Sequence, residues 1–412
     1  MRIVILGGGV VGVTTAYQLQ CDGHEVEVLE RSGLPACGAS WGNAGMIGPC
    51  AAFAWSGLRS PASALAAKMV SDQANVLKSS LDWRLYPWLW ARLRETEGAA
   101  AERNARLEFR LGEYSRRVLA EVAEREAIDY DRNPFGILYI FRHVRELDGA
   151  IAQLRALGAG GEACLPLDRA GVAAVEPALR GVDGLAGAIL RVDDETGDPA
   201  KFTRALADRV VARGGLVRTG VTVGAVEVEG DEVTSVHTDH GPLGGDAFVL
   251  ALGSANARLA RSIGIKLPIY PLKGYSLTAP IAGTAHAPLH SIVDGENGVA
   301  ISRIGDRLRV AGAVEFAGYD TSHRPADFAF MKAVAADLFP RVADYEHSDK
   351  WAGLGPATPN GLPILGARRY RNLFVNAGHG HNGWATSHGS AKITADLIAG
   401  RPPAIPLEGM NA

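Results

Sequence analysis

Residues 1–30 read MRIVILGGGVVGVTTAYQLQCDGHEVEVLE, and the punctuation of this stretch sets the fold. Ile3 to Leu6 form a short apolar run that stops at Gly7, Gly8 and Gly9, the pattern of a buried strand entering a tight turn. Val10 to Leu19 carry the small and apolar positions of a helix lying on a sheet, and Val26 to Leu29 form a second strand. One βαβ unit therefore occupies the first 30 residues. Gly7-Gly8-Gly9-Val10-Val11-Gly12 matches G-x-G-x-x-G at the strand-to-helix junction. There Gly7 permits the turn, Gly9 lets backbone approach a pyrophosphate, and Gly12 lets helix and strand pack closely. Val10 and Val11 open the helix, whose unpaired N–H groups and positive dipole end suit phosphate. Glu30, followed by Arg31, closes the second strand, where a carboxylate accepts hydrogen bonds from ribose hydroxyls and repels a 2′-phosphate. The stretch predicts a dinucleotide site.

Composition limits the remaining possibilities. With 42 basic against 45 acidic residues, the formal charge of −3 carries no footprint for nucleic acid. Cys21, Cys37, Cys50 and Cys164 form no CxxC pair and no metal-ligand spacing with histidine, so free and mostly buried thiols in a reducing compartment are expected. Glycines interrupt the N-terminal apolar run, which reads as fold rather than secretion signal. No stretch reaches the roughly 18 apolar residues of a membrane span, and a cytoplasmic-side α/β protein is expected.

Helix is predicted from about Ser60 to Glu126, with Leu107, Leu111, Tyr114, Val118 and Val122 at helical spacing, and again at Arg145–Leu157, Pro199–Arg213 and Pro325–Phe339. Strands are predicted at Gly136–Arg142, Leu216–Val228, Val233–His237, Ala247–Leu252, Leu272–Thr278, Gly298–Ile304, Arg307–Gly312 and Asn372–Asn376, and a last helix at His388–Ala399. Two later strands also run into glycine: Phe248 to Gly253, with Ala251 at its end, and Asn376-Ala377-Gly378-His379-Gly380. A nicotinamide enzyme usually completes its cofactor site early in the chain, whereas these turns are spread along it. That spread favours FAD over NAD, and a helix N-terminus after Gly380 suits the negative charge of a reduced flavin ring.

Several stretches carry a family resemblance: Ser40–Met46 (SWGNAGM), Asp194–Asp198 (DETGD), Tyr270–Thr278 (YPLKGYSLT), Trp351–Gly361 (WAGLGPATPNG) and Asn376–Trp384 (NAGHGHNGW). With the N-terminal motif they make the full chain resemble the D-amino acid dehydrogenase, glycine oxidase and sarcosine oxidase group, above all the bacterial D-amino acid dehydrogenase small subunit and its D-hydroxyproline dehydrogenase relatives. The resemblance implies an α/β fold: a glutathione-reductase-type FAD domain (1–85, 165–260 and 350–412) interleaved with an α+β substrate domain on an antiparallel sheet (86–164 and 261–349). It implies non-covalent FAD, oxidation of a D-amino acid to an imino acid, and a quinone or other electron-transfer partner rather than oxygen as acceptor. It places Ser40, Asn43, Ala44, Gly45 and Met46 along the pyrophosphate and flavin, and Val223 at adenine through its backbone. Ala251 and Gly253 fall on the adenosine side, and Gly378, His379, Gly380 and Gly383 against the pyrimidine edge.

Lys273 and Tyr275 are the candidates for groups over the flavin face, against the reading of a plain strand pair with a solvent-facing lysine. Hydride transfer from an oriented neutral amine needs no general base in the chemical step. Relatives read Gly-Leu-Arg-Pro where this chain has Gly353-Leu354-Gly355-Pro356, so the arginine expected to clamp the substrate carboxylate is missing at Gly355. Arg303 and His381 are the candidate replacements; a substrate of different size or charge is the other explanation. Residues 81–94, LDWRLYPWLWARLR, mix aromatic and basic side chains as at a bilayer interface, but domain-joining packing gives the same pattern and is preferred, with Pro87 breaking any long helix. An oxidase of an N-methyl or other secondary amino acid, an NAD enzyme using the first site alone, and a non-catalytic flavin-binding subunit remain as alternatives.

Overall fold

The computed structural model describes residues 1–49, 75–76, 82–158, 162–283 and 287–411. Its first sheet is built around β1 (Arg2–Leu6), which pairs in parallel with β2 (Glu25–Glu30) on one side and with Ala247–Leu250 on the other. Among the described residues the sheet has six strands, in the order Ile364–Ala367, Leu373–Ala377, Ala247–Leu250, β1, β2, Leu216–Thr219. Every pairing is parallel except the antiparallel hairpin at the Ile364–Ala367 edge. Helices cover one face of β1, so Ile3 and Ile5 join a core with α1 (Val10–Cys21), while Val4 and Leu6 join a second core on the opposite face. A strand buried on both faces reads as continuous apolar sequence, which is why β1 is legible from its residues alone.

The second sheet has nine strands among the described residues. Its central run is antiparallel: Asp349–Ala357, Tyr270–Pro280, Arg307–Glu315, Val299–Ile304, Ser291–Asp294. Ile137–Phe141, Gly187–Arg191 and Cys164–Asp168 extend it, and Asn75–Val76 adds to the end of Arg307–Glu315. We label Tyr270–Pro280 β3, Arg307–Glu315 β4 and Asp349–Ala357 β5. Besides Asn75–Val76, three of these strands lie wholly or all but one residue in stretches that the resemblance assigns to the FAD domain: Cys164–Asp168, Gly187–Arg191 and β5. Their glycines and prolines hide the strand pattern. β5, with Gly353, Gly355 and Pro356, is an edge strand, where a missing N–H is tolerated.

Helix α2 (Leu85–Glu95) packs on the second sheet through Leu85 and Trp88, and helix α3 (Gly98–Arg125) joins the core of the first through Val118, Leu119 and Val122. Pro87 does not break α2, because it falls in the first turn, where its absent N–H has no intrahelical partner to lose. Trp88 packs inward on Tyr270 and Phe316, as domain-joining aromatics would, but Trp83, Tyr86 and Trp90 are exposed by more than 60 %. The packing reading thus holds for one ring of four. The last helix, α4 (Gly383–Ile398), starts at Gly383, ahead of the expected His388, and Thr14 Oγ1 of α1 donates to Ser387 O of α4 at 3.4 Å. The thiols also differ from expectation: Cys164 is buried, whereas Cys21 and Cys37 are exposed. Cys50, Leu81 and the helix expected over residues 60–81 lie outside the described residues, apart from the strand pair 75–76. No described helix is long and apolar enough to cross a membrane.

Candidate active site

The glycine turn between β1 and α1 has little room to vary. A Cβ on Gly12 would stand 1.8 Å from Gly7 O, and one on Gly7, whose φ is 115°, would stand 2.4 Å from Ala251 O. By contrast, a Cβ on Gly9 would meet only Ser40 Oγ, at 3.5 Å, with open space beyond. Gly9 therefore faces a cradle, whereas Gly12 holds helix and strand together. Glu30 Oε2 accepts from Gly8 N–H at 2.9 Å and Oε1 from Ser32 N–H at 2.8 Å, which fixes the carboxylate at the turn.

A cavity of about 460 Å³ runs from this turn. Gly7, Gly9, Val10, Val11, Glu30, Arg31, Ser40, Asn43, Val223, Ala251, Gly253, Gly378, His379, Gly380 and Gly383 all line it. No N-cap side chain and no acidic first-turn residue obstructs α1, and α4 also opens without a first-turn acid. Two helix N-termini thus point positive ends at one groove. Burial pushes the His379 imidazole down to about 3, leaving it neutral, 2.9 Å from Ser390 Oγ. Gly12 and Gly45 are not on the wall; they act through packing.

A second cavity, of about 470 Å³, adjoins the first at Ala39, Asn43 and Gly380. It is lined by Ala44, Met46, Leu272, Tyr275, Trp351, Gly355 and His381, and by residues of α2 and α3. The Trp351 indole lies between Gly42 and Gly353, where a Cβ would stand 2.0 and 2.1 Å from the ring. The loop Ser40–Met46 is held by Arg309, whose Nη1 donates to Trp41 O at 2.7 Å and Asn43 O at 3.0 Å. Arg309 carried no motif, and its role depends on β4 crossing under that loop. DETGD serves structure: Gly197 N–H donates to Gly45 O at 2.9 Å, and Asp198 caps the helix Pro199–Ala212 and pairs with Arg307. Two of the resembling stretches thus dock on each other.

Two candidates are placed elsewhere, and a third only borders the cavity. Lys273 is fully buried, its Nζ 3.3 Å from Oε2 of Glu315, its register partner on the neighbouring strand β4, and donating to Ser322 O at 2.5 Å. Tyr275 borders the cavity, but its hydroxyl hydrogen-bonds Glu315 and its ring packs edge-on against Phe328 within the core. Arg303 lines neither cavity; its Nε donates to Gly305 O at 3.3 Å. His381 does reach the second cavity. It is open to that space yet enclosed by protein, and this burial, with Arg92 nearby, pushes the imidazole down to about 4. A neutral His381 is not a cationic clamp for a carboxylate.

The comparisons agree with this geometry. Residues 2–397 match the family described as FAD dependent oxidoreductase, and the chain belongs to that family. It is 40% identical to a D-amino acid dehydrogenase of Rhizorhabdus wittichii over 98% of both chains, and 42% identical to one of Methylobacterium radiotolerans over 98% of this chain and 97% of the relative. Among solved structures, glycine oxidase from Geobacillus kaustophilus superposes with a TM-score of 0.76 at 24% identity, covering 100% of this chain and 98% of that one. L-proline dehydrogenase from P. horikoshii gives 0.75 at 17%, covering 100% and 96%. These two likenesses show the fold. The protein is an FAD-dependent oxidoreductase, and a cavity that runs from the glycine cradle and joins a second one at Ala39, Asn43 and Gly380 fits an extended dinucleotide with a reactive end.

Proposed function

We propose that this chain dehydrogenates a D-amino acid, with cyclic substrates such as D-proline or D-hydroxyproline included, and passes the electrons to a quinone or another acceptor that is not oxygen. Support comes chiefly from the 470 Å³ cavity, which opens onto the dinucleotide groove at Asn43 and Gly380 and has room for a small amino acid. The curated relatives named above are D-amino acid dehydrogenases. In this reading the first cavity holds the adenosine and pyrophosphate, with the glycine turn, Glu30, Arg31 and Ser40 around them. Asn43, Ala44, Met46, Gly378, Gly380 and Gly383 border the ring system, and FAD supplies a two-electron acceptor for the hydride on the substrate Cα.

The protein's own share is orientation and exclusion of water. The walls beside the shared opening are Ala44, Met46, Leu272, Trp351 and backbone, so a substrate there is desolvated and has few orientations open to it. His381, held neutral by burial, is not the group that takes a proton near neutrality, and hydride transfer from an already neutral amine asks no base of it in that step. Exposed Trp83, Tyr86 and Trp90, with Arg94 and Arg261 against two of the rings, support contact with a bilayer surface where a quinone is available.

The test is anaerobic reduction of the bound flavin, followed by loss of its visible absorbance, with a panel of D-, L- and cyclic amino acids. Bleaching by D-amino acids is expected. Bleaching by L-amino acids alone, or by none of the panel, overturns the proposal.

A further inference from the structure

The second cavity carries charge that the groove does not need. Arg92, on α2, is the single arginine or lysine among the described residues that line this cavity. Its position is firm, because Trp88, one turn earlier on α2, donates from Nε1 to Ala357 O at 3.0 Å, near the end of the strand that carries Gly355. Arg92 itself donates to Pro359 O at a long 3.4 Å and lies 5.7 Å from the Trp88 ring centroid. No carboxylate among the described residues lies within 4 Å of it. An enclosed guanidinium in that state bears a desolvation cost that an anionic ligand would offset.

Two carboxylates share the wall. Glu95 is engaged by Arg103 at 3.0 Å and by Asn104 Nδ2 at 2.9 Å. Glu108, on α3, accepts from Asn382 Nδ2 at 2.5 Å, and no cation among the described residues is within 4 Å of it. Burial pushes Glu108 up to about 7, while Asn382 and Arg92 pull the other way. Arg92 and Glu108 therefore feel each other's charge without forming an ion pair. Two opposite charges held apart on one cavity wall are complementary to a zwitterion. Gly355 leaves space for this arrangement: a Cβ there would meet Gly380 O at 3.3 Å and Leu272 O at 3.6 Å, and no side chain enters the cavity from that position.

We propose that Arg92 binds the α-carboxylate of the substrate, in the role that the resemblance gives to an arginine at position 355, and that Glu108 binds the α-ammonium and accepts one of its protons. The step is a heterolytic N–H cleavage: the proton passes to a Glu108 carboxylate oxygen, and the amine keeps the lone pair. This inference rests on the amino acid reading above, and its test separates the two.

The groups facing Glu108 are Arg92 and Glu95 from α2, with His381 and Asn382 from the loop before α4. His381 stays neutral above about pH 4, so over pH 6–8 the titrating group at this end is Glu108. Affinity for a D-amino acid should fall as pH drops through about 7 in the wild type and lose that dependence in Glu108→Gln.

The experiment uses holoenzyme variants with verified flavin content. Dissociation constants are read from the visible flavin spectrum for acetate (an unreactive carboxylate), and from anaerobic bleaching for D-proline and D-prolinamide. Arg92→Met should weaken acetate and D-proline by roughly 10–100-fold, while D-prolinamide binds wild type and variant alike. Arg92→Met/Gly355→Arg should recover much of the loss. Glu108→Gln should weaken D-proline and D-prolinamide but leave acetate unchanged. Unaltered acetate and D-proline binding in an FAD-saturated Arg92→Met, or equal losses for D-proline and its amide, overturns the assignment. If the wild type binds acetate through Arg92 but no amino acid bleaches its flavin, the substrate reading fails and the anion site stands.

Discussion

Gly12→Ala will yield a protein that neither holds FAD nor keeps its full stability, whereas Gly9→Ala will lose FAD alone. The contrast follows from what each new methyl meets. At Gly12 it would lie 1.8 Å from Gly7 O, inside the contact between α1 and the end of β1. Backbone cannot yield there as a flexible side chain would, so α1 must shift away from the sheet and from α4. Overpacking of this kind typically costs about 1–3 kcal/mol, and a backbone clash belongs at or beyond the upper end. At Gly9 the methyl meets only Ser40 Oγ at 3.5 Å, an ordinary contact, and projects into the cradle where a pyrophosphate would approach. The measurements are the ratio of visible to protein absorbance after reconstitution, and denaturant unfolding of the apoproteins. Full flavin retention in Gly9→Ala would remove the cradle from the account of the site.

The second large effect concerns the ion pair that displaced Lys273 from its expected role. Glu315→Leu leaves the fully buried Lys273 ammonium with Ser322 O and no carboxylate, and takes the acceptor from the Tyr275 hydroxyl. Removing one partner of a buried pair costs about 3–5 kcal/mol, because the remaining charge is uncompensated. Replacing both ends, as Lys273→Met/Glu315→Leu, removes that charge and should return most of the loss. Urea unfolding of the two variants and the wild type measures the difference. Equal destabilisation in single and double variants would mean that shape rather than charge is what the pair contributes.

Legibility in the sequence followed the range of the interactions involved. The unit β1–α1–β2 is local, and its glycines encode backbone geometry directly, so both fold class and cradle could be read from 30 residues. β5 could not be read, since Gly353 is required by the Trp351 ring and Pro356 is tolerated by an edge, two facts that exist only once strands are placed. The same holds for Lys273, where strand alternation left its direction open and the choice was made by Glu315 on the neighbouring strand. Arg92 sits in the stretch read as aromatic packing or a bilayer edge, and Glu108 in a helix read only for its apolar stripe among charges. Only the crossing of α2 and α3 over the cavity gives them a shared purpose. Arg303, chosen from alternation in one strand, shows the cost of judging an inward direction without knowing which face the cavity occupies.

The anchoring of residues 40–46 has a kinetic side. Arg309 grips Trp41 O and Asn43 O, Asn43 Oδ1 takes the Gly45 N–H at 2.8 Å, and Gly197 closes on Gly45. These bonds are made within the polypeptide, so the segment has its shape before any nucleotide arrives. Its ordering entropy is therefore met during folding rather than at capture. Uptake of FAD then resembles docking into a preset mould, and chain and cofactor can part and rejoin without the loop having to be rebuilt each time.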